Sequence, residues 1–429
     1  MFGFANFLLL ALFAAAVFDL IFALARGGGL RGALHGLWNT PHLLFGQQLA
    51  EWRLQLGRIL FAAGLAAYEI SVVFCNSMAR QNWAWVQGVM SPVLEWLAFL
   101  CFGAKILFGT RYTWRELLAG GALYFIARWV YFNSQNIWWI GIVVAVLAAK
   151  DVPLRRPLQV YFASGCAAMA VVLALHFAGI VAPDLTSERM GALRGTYGYG
   201  HPNTFGGLVF GLVLAYALLR AQKVRWVDCL LVFAVGVFLL VGPASRSAAL
   251  CTLALAVGLV FCRLRAGHSV PRWWPGTCAG MVGLTAAVSY LLPLLVIKVG
   301  PWNNDIGPAW LAKLDSLLTC RISLTWMAYR LLDVKIAGQV FNWPTVDNSF
   351  AFALFQFGPV VAALLGILFA AALLGHAKQG RRDEVCCLFA MLAYAYMEVQ
   401  PFHLTTNPTA LLLCGAVFAQ TSARWQKIE

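Results

Sequence analysis

The chain has little charge. Asp, Glu, Lys and Arg together make up 11% of its 429 residues, against about 25% in a soluble domain, which excludes an ordinary water-soluble class. Acidic residues are the scarcer kind, 17 against 31 Lys and Arg, for a formal charge of +14. That excess does not point to nucleic acid. The cations and aromatics lie in short loops between apolar runs, where positive-inside topology and interfacial belts account for them. The first apolar run, 2–25, lacks a basic n-region and a clear small-residue cleavage site, and it contains Asp19. It reads as a retained span and not as a signal peptide. Nearly all of the 11 cysteines fall inside apolar runs, where they act as small hydrophobes; only Cys320 lies clearly in a long polar segment. No disulfide framework is expected, and no Cys/His spacing suits zinc.

Apolar residues make up 61% of the chain. Their runs recur from end to end and are long enough to cross about 30 Å of hydrocarbon as helices. The expected fold class is all-α: a polytopic membrane protein of about 12–14 transmembrane helices. Spans are expected near 2–25, 59–79, 91–109, 116–132, 137–149, 157–182, 203–221, 226–242, 246–264, 277–299, 349–374, 385–400 and 405–421. The 137–149 span is short. Residues 47–58, with Glu51, Arg53 and Arg58, read as an interfacial amphipathic helix on the cytoplasmic side. Two regions are expected: membrane helices over 1–182, and a half over 183–429 that carries the chemistry and a long loop, 300–348.

Alternate loops sort the cations. About twenty of the 31 lie on one face, in loops such as Arg26–Arg58, Arg220–Arg225, Arg263–Arg272 and Lys378–Arg382. This face is cytoplasmic by the positive-inside rule. The opposite face keeps a few cations, and they cluster: Arg189 and Arg194, Arg246 at a span start, and Lys313, Arg321, Arg330 and Lys335 in the 300–348 loop. A long loop translocates regardless of charge, which accounts for Lys313 and Lys335. It accounts poorly for Arg246, which begins a span directly after a short turn. Cations held on the disfavoured face suggest an anionic ligand.

The chain is organised around Arg194-Gly195-Thr196-Tyr197-Gly198-Tyr199-Gly200-His201-Pro202-Asn203, a glycine-broken polar stretch between apolar runs. Its His-Pro-Asn ending supplies a turn and an N-cap for the helix that follows. Converging arginines can bind a pyrophosphate through their planar donor forks and stabilise charge on it as it leaves. Arg194, Arg321 and Arg246 are the candidates. The candidate bases are Asp347 and His201, for a base must lie within hydrogen-bond reach of the hydroxyl it activates. Asp347 also starts a span, where an Asp is a good N-cap, and His201 could instead orient the turn. Among the intramembrane carboxylates Asp19, Glu69 and Glu398, the last is the most plausible further contributor.

These residues resemble a known family. Arg194 followed by Gly198-Tyr199-Gly200-His201-Pro202-Asn203, then Ser245-Arg246, then Arg321 with Trp326, then Asp347-Asn348-Ser349 with Gly358, are similar to the O-antigen ligase/polymerase superfamily, above all to its Wzy-type polysaccharide polymerases. The resemblance covers roughly 190–375. The ligase branch usually carries His-Asn where this chain has Asp347-Asn348. The resemblance implies a metal-independent, GT-C-like glycosyltransferase with no cofactor, whose donor is a glycan on undecaprenyl pyrophosphate. Arg194, Arg321 and Arg246 would then hold the pyrophosphate, and Tyr199, Asn203, Asn348 and Glu398 would line the substrate site. Asp347 or His201 would activate the acceptor hydroxyl of a second lipid-linked repeat unit, on the outer face of a bacterial cytoplasmic membrane. A chain-length regulator and a repeat-unit flippase are the expected partners, with the bilayer itself. Ligation to another acceptor, or transport of an anionic lipid-linked glycan without chemistry, are the alternatives. No Asp-x-Asp motif occurs.

Overall fold

The computed structural model describes residues 2–25, 29–46, 48–181, 187–189, 192–296 and 307–418. Among them eight helices are long and apolar enough to cross a membrane: Gly3–Ala25, Ala50–Cys75, Val86–Phe108, Arg155–Phe177, Pro202–Arg220, Arg246–Leu264, Trp274–Leu295 and Pro359–Lys378. A helix satisfies its own backbone, which a lipid environment requires. Several helices turn large apolar side chains outward. Phe7, Leu10 and Phe13 are 62–70% exposed on the first helix, and Val257 and Ile367 are 67% and 65% exposed on later ones. Contiguous apolar surface of this kind suits lipid, not water. The chain is an all-α, multi-pass membrane protein.

About thirteen spans were expected, and the differences have local causes. The 137–149 run forms Ile137–Ala148, almost wholly buried. At 12 residues it reaches only about 18 Å, so it serves as a core helix. Trp226–Val241 and Arg382–Met397, of 16 residues each, are also short. The 116–132 run lies within Trp114–Ser134, which carries Arg115, Glu116 and Arg128. The 349–374 run is not one helix. Ser349–Phe352 passes into a π turn at Ala353–Phe357, the backbone breaks at Gly358 (φ 87°), and a new helix starts at Pro359. At 405–421 the described residues form a 3-10 turn, Pro408–Leu413, and a single helical turn, Cys414–Val417. Residues 50–58 of the expected amphipathic segment are the first turns of the 26-residue Ala50–Cys75 helix.

The chain divides into two compact units. The first comprises 1–128, 137–208 and 410–429; the second comprises 129–136 and 209–409. In the first, Ala50–Cys75 packs along Ser91–Phe108. Gly57 and Gly109 approach so closely that a Cβ on either would collide with the other's backbone. Arg53 ties the chain crossing there, donating to the carbonyls of Leu44 (2.7 Å), Gly46 (2.6 Å) and Phe108 (2.9 Å). In the second unit the expected long loop holds two short helices, Ala309–Leu317 and Arg321–Leu331, with residues 300–306 outside the described set. Leu311 and Ile322 form a small core with Val296, and Leu314, Leu318 and Trp326 pack against it. An extended run then leads to Asn348. Along it Gly338 (φ 74°) lies against the Gly358 break, where a Cβ on either glycine would collide with a carbonyl oxygen of the other strand.

Candidate functional site

In the second unit, residues far apart in sequence meet at one guanidinium. Arg321 is the first residue of its helix, entered through the left-handed Thr319 and Cys320 (φ 63° and 64°). Asp315 holds that turn. Its carboxylate accepts from the N–H of Ile322 (2.8 Å) and Ser323 (3.1 Å) and from the Ser323 hydroxyl (2.8 Å). The helix start is thereby fixed, and Arg321 points inward with 7% of its surface exposed.

All five guanidinium N–H groups find acceptors. Nη2 donates to Glu398 Oε1 at 2.6 Å and to Ser247 Oγ at 3.3 Å. Nη1 donates to the Leu318 carbonyl at 2.8 Å and to Thr319 Oγ1 at 3.0 Å. Nε donates to the Met397 carbonyl. Arg321 therefore ties the end of Arg382–Met397 to the first turn of Arg246–Leu264. A donor phosphate could reach this guanidinium only by displacing one of its present acceptors. Arg246, next to Ser247, is exposed.

The Asp347-Asn348-Ser349 segment joins the same group. Ser349 Oγ donates to the Glu398 carbonyl at 2.5 Å. Asn348 is the N-cap of the following turn, accepting from the N–H of Phe350 (2.9 Å) and Ala351 (3.1 Å) and donating to Ser289 Oγ (3.0 Å). Asp347 is therefore not the cap. It is half-buried, two residues before Ser349, which bonds to the Glu398 carbonyl. Arg321, Asp347, Asn348 and Glu398 thus come together, with Arg246 adjoining through Ser247.

The first unit holds the central polar stretch. Its strand Ala192–Arg194 pairs antiparallel with Ser187–Arg189. Arg194 is buried and donates from Nη2 to Asn203 Oδ1 at 2.9 Å, while the Asn203 N–H donates to His201 Nδ1 at 3.1 Å. An Nδ1 that accepts carries no proton, so neutral His201 bears its proton on Nε2. The ring itself is exposed. The turn at Tyr197 and Gly198 (φ 52° and 80°) sets Tyr199 opposite Ser77 in a β-bridge, and Met78 N donates to the Gly198 carbonyl at 2.8 Å. Tyr199 is fully buried, its ring 5.5 Å from that of Phe205. Burial pushes its phenol above the ordinary range and keeps it protonated. Tyr199 anchors the turn from inside.

Sequence reasoning passed over Asp315, Ser247, Ser289 and the Met397 carbonyl. Asp315 had a signal: it stands four residues after Leu311, a carboxylate on the apolar stripe of a short helix. The others act through backbone or hydroxyl groups that no motif marks. Among the described residues no group of three or more His, Cys, Asp or Glu could hold a metal ion. Set against family models, curated proteins and solved structures, the chain matches none.

Proposed function

We propose that the protein is a polysaccharide polymerase. It would transfer a glycan from undecaprenyl pyrophosphate to the sugar hydroxyl of another lipid-linked repeat unit on the outer face of a bacterial cytoplasmic membrane. One observation carries this reading: Ser247 and Glu398 meet at the buried Arg321 guanidinium, and the Asp347–Ser349 segment joins them through the Ser349 bond to the Glu398 carbonyl. Asp347 takes the proton of the acceptor hydroxyl, whose oxygen attacks the anomeric carbon while the bond to the pyrophosphate breaks. With capping assigned to Asn348, the Asp347 carboxylate has no such structural duty. Arg246, exposed at its helix start, meets the leaving phosphates; Arg321 positions Glu398 and Ser247 beside them. Arg194, His201, Tyr199 and Asn203 enter the reading through the motif resemblance alone. A chain-length regulator and a repeat-unit flippase would be its partners.

A second reading, transport of an anionic lipid-linked glycan, is favoured by a different observation. Two apolar stretches of the second unit leave the α-helix: one at Gly358, the other after Met397, where Glu398–Thr409 contains only short 3-10 turns and Thr405, Thr406, Asn407 and Thr409 are buried. Broken helices are typical of transporter sites. Proteoliposomes loaded with a defined lipid-linked repeat unit separate the two. Polymerisation gives a ladder of products and free undecaprenyl pyrophosphate. Redistribution of intact repeat units between leaflets, with no ladder, would replace the polymerase reading by the transport one.

A further inference from the structure

At the opposite end of the Arg246–Leu264 helix from Ser247, about 25 Å along its axis, the second unit opens into a basic cavity. It measures about 580 Å³ and is lined by Arg263, His268, Lys378, Arg382 and Asp383, with the small residues Ala266, Gly267 and Ser269. A second cavity of about 210 Å³ adjoins it and shares Cys262, His268 and Arg382. Its other walls are mostly apolar, Phe261, Trp273, Trp274 and Phe389, with Arg265 lying over the Phe261 ring at 5.6 Å.

From this two-part geometry we infer a binding site for an anionic phospholipid, with the phosphate headgroup in the basic cavity and an acyl chain along the apolar one. Three features support it. First, the charge is complementary. Four of the lining side chains can carry positive charge, and the single carboxylate, Asp383, already accepts from the Gln222 N–H at 2.6 Å. Second, the wall is preformed. Arg382 donates to the carbonyls of Arg265, His268 (2.6 Å) and Ser269 (3.1 Å), fixing the 265–269 turn that closes the cavity. Arg382 is thus occupied as a wall, whereas Arg263 and Lys378 are exposed and make no side-chain hydrogen bond or ion pair among the described residues. Third, the order of polarity matches a lipid entering sideways. The cations sit at the helix ends, and the apolar cavity runs toward Trp273 and Phe261, both exposed, as in an interfacial aromatic belt. A soluble anion would have no use for the apolar half, and a zwitterionic lipid would gain little from the cations.

Native mass spectrometry of the detergent-purified full-length protein, titrated with phosphatidylglycerol or phosphatidylcholine, tests the site. Two basic side chains near a lipid phosphate are together worth about 30-fold in affinity. Phosphatidylglycerol should therefore bind the wild type in preference to phosphatidylcholine, and Arg263→Gln/Lys378→Gln should weaken it by about that factor. The charge-conserving Arg263→Lys/Lys378→Arg should keep most of the binding, which separates lost charge from a lost fold, and both variants should elute as the wild type does. Equal binding of the two lipids would overturn the inference, as would unchanged phosphatidylglycerol binding in the Gln variant. Full displacement of phosphatidylglycerol by millimolar inorganic phosphate would also overturn it, in favour of a site for a soluble anion.

Discussion

The two polar clusters are built in opposite ways. In the first unit Arg194, His201 and Asn203 lie within ten positions of one another, and Asn203 bonds to both of the others. In the second, Arg321 bonds to Ser247 and Glu398, 74 and 77 positions away in opposite directions. The first arrangement links side chains close in sequence, and its turn leans on the chain at Ser77 and Met78. The second exists only when four segments are already packed, so its polar groups are satisfied by the fold itself. Buried polar groups of that kind are costly to leave half-paired. The long-range cluster should therefore respond more sharply to substitution than the local one.

The largest effect expected is on Asp347. If it is the base, Asp347→Asn should cut polymer formation by about 10²–10⁴-fold in a ladder assay with purified donor and acceptor, while donor binding persists. His201→Ala, in the local cluster, should cost less than tenfold. A dead His201→Ala beside an active Asp347→Asn would reverse the ranking of the two clusters.

Next comes the buried ion pair. Arg321→Ala leaves Glu398 without its counter-charge, and removing one partner of such a pair costs roughly 3–5 kcal/mol. It should show as a marked fall in thermal stability in detergent. Arg321→Ala/Glu398→Gln should recover part of that loss, since no uncompensated charge remains. If the double variant is no better than the single, the pair is not coupled as its geometry implies.

The smallest expected effect is at the cap. Asn348→Ala should destabilise by about 1 kcal/mol, and Asn348→Asp should restore most of it, because either side chain can accept from the helix N–H groups. Equal stability of Asn348→Ala and wild type would return the capping role to Asp347.

How much of this was legible beforehand depended on whether the signal was local. The 203–221 and 246–264 spans agree closely with Pro202–Arg220 and Arg246–Leu264 because each opens on a strong marker, His-Pro-Asn or Ser-Arg, after a turn. The 349–374 run was misread as continuous because hydropathy does not change across its break. The Gly358-Pro359 pair that marks the break is a local signal outweighed by the apolar stretch around it. Asp347 and Asn348 are neighbours of equal capping aptitude, so only the backbone, extended at Asn348, decides between them. The convergence on Arg321 could be suspected from the order of the motifs. The saturation of its donors could not, since the Met397 and Leu318 carbonyls belong to no pattern of residue types.

The close approach of Gly338 and Gly358 has a mechanical meaning. The chain leaves one glycine, travels out through Asp347, Asn348 and Ser349, and returns to the other, so the excursion is buckled at its base. Gln339 N–H, donating to the Gln356 carbonyl at 3.2 Å, fastens the buckle a second time. A ribbon pinned in this way cannot peel back from one end. Its far edge is held as well, by the Asn348 bond to Ser289 and the Ser349 bond to the Glu398 carbonyl, so any shift of the Asp347 segment must break those two bonds first.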